Sequence, residues 1–430
     1  MRTFNVKSQL WKWLYPGIKI KRYLLLVILG IILLIGGLFF CFNIKNFLLI
    51  KGNLRAVFNY SDILINILGV ILGVIGVGLI TLGIRNLNRS IFRTIVPQQV
   101  DKISELIYQK TRLSKGPKIV VIGGGTGLYV LLRGLKSFTN HITAVVTVFD
   151  TGGSSGRLRK ELGVLPPGDI RNCLVALATV EPLMEKLFQY RFTNGSLEGH
   201  NFGNLFITAM SEVSGDFISA IEKSSEILAI QGKVLPSSLE NITLSAKMKD
   251  GEIVKGETEI THSGKIIDKV YLEPSPVLPL PETLKALEQA EAIILGPGSL
   301  YTSIICNLLV KGISKAIGES KAIKIYICNI MTQSGETDHY TVSQHLKELE
   351  KYLGVNCIDY IIVNTAEIDN ELKERYAKEG AYQVVVDRSE ILKMGVELIS
   401  KKLWYNQNLA RHDPDKLAQI IIDLISERKG

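Results

Sequence analysis

The sequence predicts an α/β fold with a mostly parallel, doubly wound sheet and a small antiparallel β insertion, preceded by a two-helix transmembrane hairpin. Two uncharged segments before residue 85 are each long enough to cross a bilayer. After residue 117, near-continuous apolar strands alternate with segments of helical periodicity, as in a parallel sheet covered by helices. Two short runs flank Asp250-Gly251, a pair typical of a hairpin turn, and predict the insertion at residues 233–273.

The two apolar segments, residues 23–42 and 63–84, each span roughly 30 Å as helices, the thickness of a bilayer core. Basic residues flank the outer ends of this hairpin more than its loop, which predicts that both ends are cytoplasmic. We therefore expect a multi-pass protein of the inner (cytoplasmic) membrane, with a basic cytoplasmic N-terminus at 1–22 and the large domain in the cytoplasm. The basic residues are Lys12, Lys19, Lys21, Arg22, Arg85, Arg89 and Arg93 outside, against Lys45, Lys51 and Arg55 in the loop.

Gly69 and Gly73 form a GxxxG pair in the second segment, which favours close helix packing. The partner could be the first segment or another copy of the chain, so a homo-oligomer stays open. Residues 85–116 are predicted to connect the hairpin to the large domain, residues 117–430. After Pro97 the linker has helical periodicity and predicts a short amphipathic helix.

Charge is concentrated in the first quarter of the chain. Of 50 Lys+Arg and 41 Asp+Glu in total, residues 1–116 hold 16 and 3, so residues 117–430 hold 34 and 38 and carry a net charge of −4. Nucleic-acid binding depends on a basic surface, so we expect no nucleic-acid partner for the large domain. Five widely spaced cysteines without a CxxC pair predict neither disulfides nor a zinc site.

Glycine- and hydroxyl-rich loops follow four predicted strands, at residues 118–122, 142–149, 292–295 and 323–328; further strands are predicted at 360–363 and 383–386. Because parallel strands end at one sheet edge, these loops are predicted to form a single anion-binding site. The first loop alone fits a nucleotide site or a tight turn equally well, since Leu128 replaces the third glycine of the dinucleotide fingerprint. The candidate residues are Gly123, Gly124, Gly125, Thr126 and Gly127; Asp150, Thr151, Gly152, Gly153, Ser154, Ser155 and Arg157; Gly296, Gly298, Ser299, Tyr301 and Thr302; and Asn329.

Three further segments add polar candidates. Asp169 can cap a helix, but Arg171 in the same first turn opposes the helix dipole, a conflict that a bound anion would resolve. His200 could act as an acid or base, as a hydrogen-bonding group, or only structurally. The remaining candidates are Asn172, Asn201 and Asn204, together with Tyr376, which could stack on a base or be half-buried, and Arg411, which could bind phosphate or be a surface residue.

The segments GGGTGL, TGGSSGRL, PPGDIRN, GHNFGN, GPGSLYTS and NIMTQSGET, in this order, resemble the gluconeogenesis factor family of YvcK-like proteins over about residues 117–425. The resemblance implies a Rossmann-like domain that binds UDP-N-acetylglucosamine and a role in carbon-source-dependent growth, cell-envelope supply and cell shape. It also implies a superfamily shared with the archaeal 2-phospho-L-lactate transferases, but no established reaction.

The resemblance has one informative departure. Related loops carry two aspartates, whereas this chain has Asp150-Thr151, so Mg²⁺ at a diphosphate is less well supported and the cofactor stays unknown. The first hypothesis is a membrane-anchored UDP-sugar-binding regulator without an assigned catalytic residue. The alternative is a transferase acting on a nucleoside-diphosphate-linked donor. A dehydrogenase fits worst, because the fingerprint glycine is missing and no catalytic pairing stands out.

Overall fold

The computed structural model describes residues 20–41, 62–95, 103–179, 182–405 and 409–428. The chain divides into two units, Met1–Lys110 and Thr111–Gly430. The basic residues predicted at positions 12 and 19 and in the hairpin loop lie outside the described residues, as do Phe42, Pro97 and the start of the linker helix.

The first unit contains two apolar helices, α1 at Ile20–Cys41 and α2 at Asp62–Ile95. Both include a stretch long and apolar enough to cross a membrane, Ile20–Cys41 and Asn66–Ser90. Helix α2 continues eleven residues beyond the predicted end at residue 84, so the first part of the predicted linker is helical. A third helix, α3 at Ile103–Leu113, corresponds to the predicted amphipathic helix.

Glycines bring α1 and α2 into close contact. A Cβ added to Gly37 would lie 2.6 Å from the Gly69 carbonyl oxygen, and one added to Gly76 would lie 2.7 Å from the Gly30 carbonyl oxygen. The spacing of seven residues places these glycines along one side of each helix. Gly69 and Gly76 of α2 therefore pack against α1, whereas a Cβ added to Gly73 or Gly78 would meet open space.

The second unit is built on a seven-stranded parallel sheet with the order β10-β9-β8-β7-β1-β2-β3. Its central strands are buried on both faces, as expected for a sheet covered by helices on both sides. The strands are β1 Ile119–Gly123, β2 Ile142–Val146, β3 Lys233–Pro236, β7 Ala292–Leu295, β8 Ile323–Ile327, β9 Tyr360–Asn364 and β10 Glu397–Lys401.

In chain order, the helices of this unit include α10 within the antiparallel insertion and α17 after the last strand. They are α4 Gly125–Leu135, α5 Gly153–Leu162, α6 Gly168–Leu177, α7 Pro182–Gln189, α8 Phe202–Ser214, α9 Phe217–Ile227, α10 Glu257–His262, α11 Pro281–Gln289, a π-helical turn at Leu300–Ile305 followed by α12 Cys306–Leu308, α13 Ile313–Glu319, α14 Val342–Leu353, α15 Asn370–Lys378, α16 Arg388–Lys393 and α17 Pro414–Glu427.

Residues 300–308 and 313–319 together are also apolar enough for a broken membrane span. Residues 300–308 are buried in the α/β domain, and 313–319 buries only Ile313 and Ile317, so we assign both segments to this domain.

A smaller antiparallel sheet with the order β5-β4-β6 lies between β3 and β7 in the chain. Its strands are β4 Thr243–Met248, β5 Ile253–Lys255 and β6 Ile267–Glu273, with α10 inserted between β5 and β6. The predicted start of this insertion at residue 233 is wrong, because β3 pairs with β2 in the main sheet. The alternation of burial in β3 suits a sheet edge as well as a hairpin, so the pattern could not distinguish them.

The prediction of a strand at residues 383–386 is also wrong. Gln383 makes only an isolated bridge with Met331. The last strand of the sheet is β10, which lies at the edge and is only partly buried, so it lacks the apolar run that marks a central strand. A two-residue ribbon, β11 Trp404–Tyr405 with β12 Arg411–His412, leads into α17.

Candidate functional site

The four glycine-rich loops lie at the same edge of the sheet, because β2, β1, β7 and β8 are adjacent and parallel. A Cβ on Gly127 would lie 2.1 Å from the Pro297 carbonyl oxygen, so the loops after β1 and β7 are in backbone contact. The Gly298 N–H donates to Asn329 Oδ1 over 3.0 Å, and Asn329 Nδ2 donates to the Gly298 carbonyl over 2.8 Å. The predicted strand-tip loops are thus joined into one surface.

The N-termini of α4 and α5 open onto this surface, and their N-cap residues, Gly124 and Gly152, have no side chain that could cap them. The Gly125 N–H instead bonds to Asp169, and the Gly152 N–H bonds to Asp150. Each helix begins with backbone N–H groups that have no partner within the helix, and each carries a partial positive charge there. The first residues of α4 are Gly125, Thr126 and Gly127, and those of α5 are Gly153, Ser154 and Ser155. Two helix N-termini at one sheet edge are an anion-binding arrangement, and here Asp169 and Asp150 already accept one N–H group at each.

At the third loop, by contrast, the polar groups of the π-helical turn hydrogen-bond to other side chains of the protein. The buried carboxylate of Glu336 accepts the Thr302 hydroxyl over 2.7 Å and the backbone N–H groups of Tyr301 and Thr302. The Tyr301 side chain is fully buried and its hydroxyl contacts Tyr340, while the Ser299 hydroxyl donates to Gln333. Ser299, Tyr301 and Thr302 were predicted to bind the ligand, but their hydroxyl groups bond to other protein side chains. We therefore assign these three residues a structural role in holding the loop.

Arg171 is the central cation of this edge. It is nine-tenths buried, and its Nη1 and Nη2 atoms donate to Asn204 Oδ1 over 3.1 Å and to Asn172 Oδ1 over 2.6 Å. Burial lowers its pKa to about 10, and Arg191 adds to this effect. Among the described residues, no carboxylate forms an ion pair with Arg171, and its buried Nε has no hydrogen-bond partner.

The amides that hold Arg171 also contact both helix N-termini. Asn172 Nδ2 donates to Thr126 Oγ1 over 3.2 Å, and Asn204 Nδ2 donates to Ser155 Oγ over 3.3 Å. A single asparagine side chain therefore bridges the buried guanidinium to each helix start: Asn172 bridges it to α4, and Asn204 bridges it to α5.

Asp150 and Asp169 are enclosed beside these groups. The Gly152 N–H donates to Asp150 Oδ1 over 2.7 Å, and the Thr147 hydroxyl donates to Asp169 Oδ2 over 2.7 Å. Burial raises the pKa of Asp150, and it raises the pKa of Asp169 to about 6. Thr151 points to the antiparallel insertion, where its hydroxyl donates to Glu259 Oε2 over 3.2 Å.

His200 and Asn201 form the rear of the site. His200 Nδ1 lies 3.2 Å from Ser154 Oγ, which also accepts the Asn201 N–H over 3.2 Å. Asn201 caps α8 by accepting the Asn204 N–H. Burial lowers the pKa of His200, and no described carboxylate hydrogen-bonds its ring, so a structural role fits it best.

Arg157 is exposed, and its guanidinium donates to the Glu198 carbonyl over 2.9 Å, in the loop that leads to His200. Two residues further, Arg159 donates to the carbonyls of Phe149 and Ile242 and so ties the loop after β2 to the insertion. The sequence analysis named Arg157 and missed the anchoring role of Arg159, because the two positions differ only in which side of α5 they occupy.

A cavity of about 250 Å³ continues the site toward the C-terminal segment. Its lining joins the loops after β1, β7 and β8 to Tyr376 and Arg411. The Tyr376 hydroxyl accepts the Ala410 N–H over 3.2 Å. His412 also lines this cavity and was missed; it is buried, which lowers its pKa to about 4, and its Nε2 has no described partner.

A larger cavity of about 610 Å³ lies at the opposite, amino-terminal edge of β1, β2 and β3. Lys118, His141 and Lys233 are among its lining residues, and none of the predicted site residues is. Because ligands of open α/β sheets bind at the carboxyl edge, we place the candidate site at the smaller cavity and the adjoining loops.

Glu257, at the start of α10, joins the acidic side of the site. Burial, and after it the charges of Asp150, Asp169 and Glu336, raises the pKa of its carboxyl well above the ordinary value. Neither Glu257 nor Glu336 was a sequence candidate. Within 103–179, 182–405 and 409–428, no three Asp, Glu, His or Cys side chains converge as metal ligands, so we derive no step through a metal.

Comparison with known proteins places this domain in a family. The profile of the 2-phospho-L-lactate transferase CofD family matches residues 119–404. The gluconeogenesis factor of Bacillus subtilis is 49% identical over 317 residues, which cover 73% of this chain and all of that protein. The chain belongs to the CofD-like family of gluconeogenesis factors.

Two further CofD-like relatives extend the comparison. A Clostridium acetobutylicum protein is 43% identical over 428 residues, covering 97% of this chain and 92% of its own length, so its similarity includes the hairpin region. A crystallised protein from Bacillus halodurans is 51% identical, with a TM-score of 0.70, and covers 72% of this chain and all of that one. This crystal structure supports the α/β fold described above.

Proposed function

We propose that this CofD-like protein is a membrane-anchored regulator whose cytoplasmic domain binds UDP-N-acetylglucosamine. The names of its relatives connect them with gluconeogenesis, and we extend that connection to carbon-source-dependent growth and to cell shape and envelope homeostasis. The hairpin α1–α2 would hold the domain at the inner membrane, with both ends of the hairpin in the cytoplasm.

The observation that carries the ligand assignment is the buried, unpaired guanidinium of Arg171. Asp169 and Asp150 act on it electrostatically, but its described hydrogen bonds go only to Asn204 and Asn172. A buried cation without a direct ion pair is costly unless an anion completes its shell. Its amide partners also contact the starts of α4 and α5, whose N–H groups other than those bonded to Asp169 and Asp150 would face the same anion. A diphosphate satisfies all three donors at once, and the cavity at Tyr376 and Arg411 extends from there for a base or sugar.

Titration calorimetry with UDP-N-acetylglucosamine on the full chain in detergent tests this proposal. Arg171→Lys keeps the charge but loses the planar fork that bridges the two amides, so affinity should fall by about tenfold or more. Arg133→Lys, at an exposed position of α4, is the matched control and should bind like wild type. Absence of wild-type binding at about 1 mM ligand would remove the nucleotide-sugar assignment.

The orientation of the anchor has its own test. Proteolysis of right-side-out and inverted membrane vesicles should digest the α/β domain only in the inverted ones. Digestion in right-side-out vesicles would contradict a cytoplasmic domain while leaving the ligand assignment untouched.

The second candidate is a transferase acting on a nucleoside-diphosphate-linked donor, which the match to the 2-phospho-L-lactate transferase family favours. In this case the same loops would hold the donor's diphosphate. Turnover of such a donor, lost on Asp150→Asn, would support the transferase. Saturable binding without turnover would support the regulator.

A further inference from the structure

Helix α7, Pro182–Gln189, has an exposed apolar face on the α/β domain. Leu183 is 76% exposed, Leu187 is 40% exposed, and Tyr190, directly after the helix, is 49% exposed. The Tyr190 N–H donates to the Leu187 carbonyl over 3.1 Å, so the last turn continues to this residue. Spacings of three and four place these three side chains on one side of the helix, together with the exposed Lys186.

The opposite side of α7 is held firmly by the domain. Phe188 is buried and packs against the aromatic rings of α8. Glu185 Oε1 accepts the Tyr129 hydroxyl of α4 over 2.6 Å, and Gln189 Nε2 donates to the same hydroxyl over 3.2 Å. These contacts fix the rotation of α7, so its two leucines are directed outward while the acid Glu185 is directed toward α4.

A basic surface lies beside this face. The Arg133 guanidinium lies 5.7 Å from the centre of the Tyr129 ring, and Lys136 Nζ donates to the Ala178 carbonyl over 2.8 Å. Arg112 Nη2 donates to the Ser137 carbonyl over 3.2 Å, so the first turn of this unit adjoins the end of α4. Residues 111–149 contain no Asp or Glu and five basic residues, Arg112, Lys115, Lys118, Arg133 and Lys136.

The length of the linker favours a bilayer as the surface that covers this region. Fifteen residues, 96–110, separate the end of α2 from the first residue of the second unit. Fully extended, they span about 50 Å at most. When the hairpin is in the membrane, the domain therefore meets that bilayer at a far higher effective concentration than it meets any free protein.

We infer that the outer face of α7 lies in the headgroup region of an anionic bilayer, with the neighbouring basic residues on its lipid phosphates. Helices that lie in a membrane surface combine an apolar face with basic side chains that reach the headgroups, and tyrosine is enriched at this depth. Anionic lipids of the cytoplasmic leaflet attract Lys and Arg close to the surface. The inference rests on the proposed anchoring of the chain and adds a second membrane contact, made by the domain itself.

Hydrogen–deuterium exchange read by mass spectrometry tests this inference on the full chain. The chain is reconstituted in phosphatidylcholine vesicles and in vesicles that also contain phosphatidylglycerol. Amides of residues 182–190 should exchange more slowly with the anionic lipid, by about fivefold or more, because opening of α7 would also withdraw its leucines from the bilayer. Equal exchange in the two bilayers overturns the inference.

Leu183→Gln combined with Leu187→Gln removes the apolar face while keeping a good helix former at both positions. The difference between the two bilayers should disappear in this double variant. Leu392→Gln is the matched control, because Leu392 is an exposed leucine of α16, and it should keep the wild-type difference. A difference that persists in the double variant overturns the contact through α7.

Two further measurements separate the other outcomes. Protection of α7 that is equal in both bilayers and grows with the density of the chain would assign this face to a second copy and overturn the inference. The anchoring is measured separately, as the fraction of the chain that stays with the vesicles after an alkaline carbonate wash. Equal exchange in a chain that stays leaves the anchor standing, whereas a chain that washes off contradicts both the anchor and the inference.

Discussion

The backbone carbonyl oxygen of Asp169 lies 2.2 Å from the point that a Cβ on Gly125 would occupy. The start of α4 and the start of α6 therefore touch through their main chains, and this contact brings the Arg171 turn to the strand tips. Gly125→Ala should lower the free energy of unfolding by about 1 to 3 kcal/mol, because neither backbone can move without displacing its strand. Chemical denaturation of the full chain in detergent measures the change.

Gly318→Ala is the control for that substitution. Gly318 lies in α13, where an added Cβ meets no atom within 4 Å. Alanine favours a helix over glycine by about 0.5 to 1 kcal/mol, so this variant should be as stable as wild type or slightly more stable. Equal destabilisation by both substitutions would contradict the close contact at Gly125.

Asp169 gives the stability of the protein a pH dependence of defined sign. Its pKa is about 6 in the folded protein, against an ordinary value of 3.8, so the folded state holds the extra proton between these values. The free energy of unfolding should fall as pH rises through this window, by up to about 3 kcal/mol. Asp169→Asn should reduce that fall, and denaturation at a series of pH values measures it. An unchanged profile would show that Asp169 ionises normally.

The two arginines near α5 and α6 should differ in their effects. Arg157→Ala should weaken UDP-N-acetylglucosamine binding without changing the free energy of unfolding, because this exposed guanidinium makes one hydrogen bond to a carbonyl. Its effect should be smaller than that of Arg171→Lys, whose guanidinium is buried at the helix starts. Calorimetry and denaturation on the same preparations measure both quantities. Full affinity in Arg157→Ala would remove Arg157 from the anion site.

The strand-tip arrangement could be predicted from sequence because it depends on local patterns. Apolar runs ending in glycine loops identify parallel strands, and such strands share their carboxyl edge. The conflict between Arg171 and the helix dipole likewise pointed to an anion, and the structure places that side chain among the helix starts. These signals lie within a few residues of each group.

The acids at the far side of the site could not be predicted in this way. Glu257 comes to this edge because α10 contacts the loops after β2 and β8, a tertiary contact that no spacing encodes. His412 enters the cavity through the short β11–β12 ribbon, whose two-residue strands have no periodicity to detect. The edge strand β10 was missed for a related reason, since its partly buried residues resemble an exposed segment.

Thr151→Asp would create the pair of aspartates that the family resemblance leads us to expect, but the new carboxylate would face Glu259 across the present 3.2 Å contact. Two carboxylates cannot share that hydrogen bond, so the variant should lose about 1 kcal/mol of stability. Adding Glu259→Gln should recover most of the loss, because the amide can donate to the new aspartate. The free energies of unfolding of wild type, both single variants and the double variant give the coupling. The same loss with and without Glu259→Gln would contradict a direct contact between the insertion and the loop after β2.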